Sequence, residues 1–166
     1  MLTYERLIEL SLAAVGSGRG RMHLNLHPSY VDPCQRLFNA IGEQSYIRPH
    51  RHSIDPRVET LIAVRGLFGL ITFDDEGVPS RVELFGSELH AGVGCTSVGV
   101  EVFPDEWHMV VALAPQSVVF EVKAGPFDPA GAKEFAPWSP PEGTQMAAEF
   151  LEEMRRFAKQ STGVGV

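Results

Sequence analysis

Between residues 45 and 124, short runs of valine, isoleucine, leucine and phenylalanine alternate with turn-forming residues. Apolar runs of this length, bounded by turn residues, predict β-strands. They fall at residues 45–49, 59–65, 68–73, 81–85, 96–103, 107–114 and 117–123. Asp74-Asp75-Glu76-Gly77 reads as a hairpin turn, and Gly66 as a tight turn between two strands. So many closely spaced strands without interleaved helices predict a sandwich or barrel, not βαβ units.

Helical signals lie at the two ends. Residues 3–15 read as a helix with Thr3 as its cap and Leu7, Ile8, Leu10 and Leu12 as apolar surface. Gly16-Ser17-Gly18 stops it. Gly16, Gly18 and Gly20 have the wrong spacing for a phosphate-binding loop, and no strand precedes them. Residues 32–40 read as a second short helix with Pro33 in its first turn. Residues 125–143 are rich in proline and glycine and read as an ordered surface loop. Residues 144–160 form the clearest helix, capped by Thr144, with Met146, Phe150, Leu151, Met154 and Phe157 along one stripe. That stripe suits packing either on the domain or on a second subunit in a homodimer, and the sequence leaves both open. Residues 161–166 read as a loose tail. The organisation expected is one structural domain. Residues 1–42 form a helical and extended segment packed on a barrel, 43–143 form the barrel, and 144–166 form a helix and tail.

Composition narrows the function. The 166 residues are 44% hydrophobic and 21% charged, values of an ordinary folded domain. Net charge is −7, which argues against a nucleic-acid partner, because phosphate binding needs a basic face. Cys34 and Cys95 fit neither a zinc-finger spacing nor a disulfide framework. No apolar run approaches the roughly 20 residues of a membrane span. The start, Met1-Leu2-Thr3-Tyr4-Glu5-Arg6, lacks the features of a signal peptide. The chain therefore reads as soluble and cytoplasmic, with a small-molecule substrate and neither a nucleic-acid nor a membrane partner.

The sharpest chemical signal is Pro49-His50-Arg51-His52. Histidines at i and i+2 on a strand point to one face, where two imidazoles can hold one divalent metal. Glu59, on the next strand, can add a carboxylate oxygen, and His108 follows a turn at the start of a later strand. Three imidazoles and a carboxylate suit Fe, Mn, Ni, Cu or Zn better than Mg or Ca. Asp55 competes with Glu59 for the fourth place, although its proline-flanked position looks like a turn.

The order His50-x-His52, Glu59 with Gly66, then Pro104 with His108 resembles the two metal motifs of the cupins, small jelly-roll barrels with a three-histidine, one-glutamate site inside. Six residues, 53–58, separate His52 from Glu59, more than the cupin pattern has. The second motif lacks its usual glycine and the asparagine after the histidine. A narrower resemblance, over about residues 20–143, is to the WbuC family of cupin-fold metalloproteins. It rests on Asn25-Leu26-His27, Gln35-Arg36-Leu37, Asn39-Ala40, Pro49-His50-Arg51-His52, Glu59-Thr60, Trp107-His108, Glu121-Val122-Lys123, Gly125-Pro126, the run Lys133 to Trp138, and Pro140-Pro141-Glu142.

The resemblance implies a mainly β, cupin-type jelly-roll barrel with short N-terminal helices and a C-terminal helix. It also implies a bound divalent transition metal (Zn, Fe, Mn or Ni) and a link to bacterial surface-polysaccharide biosynthesis. Among the remaining residues, His27, Lys123 and Tyr46 are candidate catalytic groups. Tyr46 shares a face with positions 48, 50 and 52 if the strand runs unbroken through Pro49. Asn25, Gln35, Arg36 and Asn39 either bind a polar ligand at the barrel mouth or fix the N-terminal segment to the barrel. His23 and His90 read as surface or packing residues, and Trp107 and Trp138 as core. The activity expected is isomerisation or epimerisation of a small carbohydrate-like substrate. The alternatives are an iron-dependent dioxygenase and a ligand-binding protein without catalysis.

Overall fold

The computed structural model describes residues 1–91 and 94–162. Helix α1, Tyr4–Val15, is capped where the Arg6 N–H donates to Thr3 Oγ1 (3.3 Å), and it ends as Gly16 N–H donates to Leu12 O. Ten strands follow: β1 Arg21–Asn25, β2 Cys34–Ile41, β3 His50–Arg51, β4 Glu59–Arg65, β5 Leu67–Phe73, β6 Pro79–Gly86, β7 Gly99–Val102, β8 Trp107–Ala112, β9 Ser117–Ala124 and β10 Glu134–Phe135. Helix α2, Gln145–Thr162, closes the described chain, and residues 163–166 of the expected tail lie outside it.

The strands form two antiparallel five-stranded sheets, ordered β1-β2-β9-β4-β7 and β10-β3-β8-β5-β6. Strict alternation sorts their side chains into two layers. On β8, His108, Val110 and Ala112 pair with Thr72, Leu70 and Phe68 of β5 and face the other sheet. The residues between them, Trp107, Met109 and Val111, join the layer under α2, where Ala147, Leu151, Met154 and Ala158 meet Ile71 and Phe73. α1 covers the outer face of the first sheet, with Leu10 and Ala14 on Phe38, Ala40 and Val118. Between the sheets, Phe68, Leu70, Phe85, Val100, Val102 and Val119 fill one end of the interior. The fold is thus the expected mainly β jelly roll with a helix at each end. No helix among the described residues is long and apolar enough to cross a membrane.

Several expected elements differ. Residues 32–40 are not a helix. β2 pairs with both β1 and β9 over Cys34–Ile41, so the sheet takes in the segment from Arg21 onward. Its inward positions, Gln35, Leu37, Asn39 and Ile41, mix polar with apolar because they line a cavity and not a packed core. That mixture hides the period of two. Residues 45–49 form no strand, and only His50–Arg51 pairs, with β8 and β10. The expected strands at 96–103 and 107–114 are shorter than the apolar pattern suggests. Cys34 and Cys95 are free thiols.

Gly66 sits at φ +80° between β4 and β5, and a Cβ built there would lie 2.0 Å from Ser117 Oγ. Ser117 is fully buried and donates to Ala114 O, so it cannot withdraw. Gly66→Ala is expected to lower stability by about 2 kcal/mol or more, from the left-handed backbone and the collision together, as read by urea unfolding.

Candidate metal centre and its cavity

β3 lies directly against β8, and their register places His50 opposite His108. Two residues beyond, the His52 N–H donates to Pro104 O at 2.7 Å, which ties the loop after β3 to the turn before β8. Between the histidines, Arg51 points to the opposite face. It makes a two-pronged pair with Glu134 of β10 (2.8 and 2.9 Å) and lies 4.3 Å over the Trp107 ring. Ser53 also donates to Glu134. The alternation in, out, in thus brings His50, His52 and His108 together, all buried, with one ligand nitrogen from each within 4.8 Å of the others.

Each ring is fixed by its Nδ1: His50 on Arg48 O (2.9 Å), His52 on Ala132 O (2.7 Å) and His108 on Glu106 O (2.8 Å). A carbonyl oxygen only accepts, so each Nδ1 carries the proton and each Nε2 presents a lone pair. This is the tautomer a metal-binding imidazole needs. Burial holds His50 well below the usual histidine range, with nearby Lys133 adding to the effect. His108 is pushed down to about 4 by burial, partly opposed by its bond to Glu106 O.

Glu59 opens β4 in the facing sheet, beside Lys123 of β9 in the register. Burial alone would raise its carboxyl, but the Lys123 ammonium beside it helps to hold it well below the usual carboxylate range. Lys123 Nζ is 2.5 Å from Glu59 and 3.4 Å from Glu121, and it lies 5.0 Å over the Phe127 ring. Burial works to lower Lys123, but those two carboxylates win and raise it. Glu121 is raised by burial and then by Glu59.

The residues present fit a divalent metal. His52 Nε2 is buried without a hydrogen-bond partner and sits 3.4 Å from Glu59 Oε1. Two electron-rich atoms facing at that distance repel unless a cation stands between them. A metal held by His50, His52 and His108, with Glu59 at hand, supplies that cation. Asp55 is engaged elsewhere, accepting from Arg57 Nε at 2.8 Å.

His50, His108, Glu59 and Lys123 all border a cavity of about 620 Å³ between the sheets. His27 borders it too, with Nδ1 against the Arg36 backbone and Nε2 buried and unpartnered. Asn25 and Asn39 line it, and Asn39 Oδ1 has no partner. Gln35 also reaches it, but its Nε2 donates to Ser29 O, Tyr30 O and Asp32 O, so it holds the loop before β2 in place.

Two candidates lie elsewhere. Arg36 is on the outward parity of β2 with its guanidinium toward Cys34 O and Asp32. Tyr46 is packed in the layer under α2. Its ring is 6.2 Å from that of Phe150 and its hydroxyl donates to Pro140 O. The break before His50 shifts the alternation, so Ile47 borders the cavity instead. Sequence reasoning missed Glu121, His23, Arg21, Arg48 and Lys133, all on the cavity wall. Glu121 shares a strand face with Lys123, so period two alone could have found it.

In the metal-free protein, His50 and His108 stay neutral below pH 6.5 while the unfolded chain takes up protons on them. The unfolded state then binds more protons, so stability falls as pH drops from about 6.5 towards 4. His108 alone should contribute a slope of about 1.4 kcal/mol per pH unit inside that window. Urea midpoints measured across it should show the fall, and His108→Gln should remove its share of the slope and leave that of His50.

Among solved structures, protein SO0799 from Shewanella oneidensis superposes with a TM-score of 0.57 at 12% identity, over 99% of this chain and 95% of that one. Rru_A2000 from Rhodospirillum rubrum, described as a cupin-2 domain, gives 0.51 at 12% identity over 82% and 81%. Identities this low speak for the fold alone, and that fold is the cupin jelly roll. No curated protein matches the sequence. A family model, "Domain of unknown function (DUF6016)", matches residues 2–84, half of the chain, and the chain belongs to that family.

Proposed function

We propose that this protein is a metal-dependent enzyme of isomerase or epimerase type acting on a small, polar, carbohydrate-like molecule. The observation that carries the reading is the set of three buried imidazoles, each fixed in the metal-binding tautomer, two of them at the wall of a cavity that also holds a largely buried lysine between two carboxylates. His50, His52 and His108, with Glu59, would hold the metal. When bound, such an ion acts as a Lewis acid towards a carbonyl or hydroxyl oxygen.

The chain's own groups complete a proton-transfer site. Glu121, raised above the ordinary glutamate range, is the base that takes a proton from carbon beside a carbonyl. Lys123 keeps its ammonium, faces the same space and returns a proton on the other side of the rearranging bond. No electrons leave the substrate in such an exchange. His27 Nε2, buried and unpartnered, and Asn39 supply hydrogen-bonding positions for hydroxyl groups. The apolar part of the wall, with Leu37, Leu61 and Val110, limits bulk water. The WbuC-like blocks support a role in bacterial surface-polysaccharide biosynthesis.

Protein purified without added metal should contain about one zinc or manganese ion per chain and turn over members of a sugar and keto-sugar panel under argon. Iron with oxygen uptake would point to oxygenation instead, and full occupancy without turnover to a binding protein. His50→Ala combined with His52→Ala should abolish metal binding and leave the circular dichroism of the barrel unchanged. Glu121→Gln should lower kcat by about a hundredfold with little change in KM.

A further inference from the structure

The cavity holds charge that proton transfer does not use. Five basic side chains line it, Arg19, Arg21, Arg48, Lys123 and Lys133, against three acidic ones, Glu59, Glu121 and Glu142. A positive excess in a chain of net charge −7 is a local concentration, not a reflection of composition. Three of the five are engaged. Arg21 pairs with Glu142 at 2.7 Å and donates to Tyr46 O at 3.0 Å. Arg48 donates to Ser139 Oγ (2.8 Å) and Ala136 O (3.2 Å), and its guanidinium lies over the Phe135 ring. Lys123 is held by Glu59 and Glu121. The side chains of Lys133 and Arg19 make no hydrogen bond or ion pair with any described residue.

Topology places these two where a ligand passes. β1 and β10 are the outer strands of their sheets, and both flank the cavity. The inward positions of β1 are Arg21, His23 and Asn25, and Arg19 lies just before them. Lys133 and Phe135 are the cavity-lining positions at β10. Lys133 follows Ala132, whose carbonyl fixes His52, so it stands beside the metal-binding histidines.

The field agrees with the placement. His23 is pushed down to about 4 by burial, and then by Lys133, Arg19, Arg21 and Lys123. Lys133 is itself lowered, first by burial, with Lys123 and Arg21 adding to it against Glu59 and Glu121. An ammonium set beside other cations gains from a bound anion.

We propose that Lys133 and Arg19, backed by Arg21, form an anion subsite at the cavity wall that seats a carboxylate or phosphate group of the substrate. The neutral hydroxylated part of the molecule then lies inward over Asn39 and His27, towards His50 and His108. This rests on the reading of the cavity as a substrate site, and it narrows the substrate class to acidic or phosphorylated sugars.

The test is calorimetric binding to the metal-loaded protein, with D-glucuronate and D-glucose 6-phosphate as probes and D-glucose as the neutral reference. At least one acid should bind about tenfold or more tightly than glucose, and the stronger of the two identifies the anion. Lys133→Met and Arg19→Ala should each erase most of that preference, whereas Lys133→Arg should keep it. His50→Ala with His52→Ala, which lacks the metal, should bind every probe more weakly yet preserve the preference. Equal binding of acids and glucose, binding of neither acid at millimolar concentration, or an undiminished preference in Lys133→Met would each overturn the subsite. Metal content, measured on the same samples, tests the metal centre separately.

Discussion

Three hydrogen bonds from imidazole to main chain govern this molecule's chemistry. By accepting from Nδ1, the carbonyls of Arg48, Ala132 and Glu106 dictate both the rotation and the tautomer of His50, His52 and His108. The lone pairs are aimed before any ion arrives. Backbone carbonyls suit that task, because each lies one or two residues before a paired strand, Arg48 before β3, Ala132 before β10 and Glu106 before β8, and none can rotate away as a side chain can. The framework is pinned in turn by Arg51, which binds Glu134 and covers Trp107 on the reverse face. A residue outside the cavity thus controls the precision of those inside it.

The charges around the histidines are arranged rather than merely present. Glu59, Lys123 and Glu121 alternate in sign across β4 and β9, so a buried lysine remains an ammonium and one of its two partners is left with raised basicity. Burying charge is costly unless it is paired, and Glu59, Lys123 and Glu121 are paired among themselves, whereas the exposed Lys133 and Arg19 at the cavity flank make no ion pair with any described residue. The strip from Glu59 to Lys133 therefore grades from compensated to uncompensated charge.

Much of this was legible in the sequence, and the failures have physical causes. The spacing of His50 and His52 put them on one side, and the apolar run at 59–65 located β4 to the residue. The density of strands pointed to a sandwich or barrel, and the resemblance to the cupins narrowed that to a jelly roll. β2 was misread because hydrophobic periodicity assumes a packed interior, and its interior face meets open space through Gln35 and Asn39. Tyr46 was misplaced because parity cannot be carried across residues 45–49, which do not pair. Arg36 was chosen for its neighbours in sequence, yet in a strand adjacent residues face opposite ways. Lys133 lies in a proline- and glycine-rich stretch with no period at all, where only three-dimensional proximity reveals a role.

The interior is divided lengthwise. Strands β4, β8 and β9 each carry polar groups at one end and aliphatic ones at the other: Glu59 before Leu61 and Ala63, His108 before Val110 and Ala112, and Lys123 and Glu121 after Val119. Cohesion and reactivity thus occupy opposite halves of the same ribbons. Selection can rewrite the reactive half while the aliphatic plug keeps the scaffold standing, so relatives of this chain are free to diverge in chemistry without first finding a new architecture.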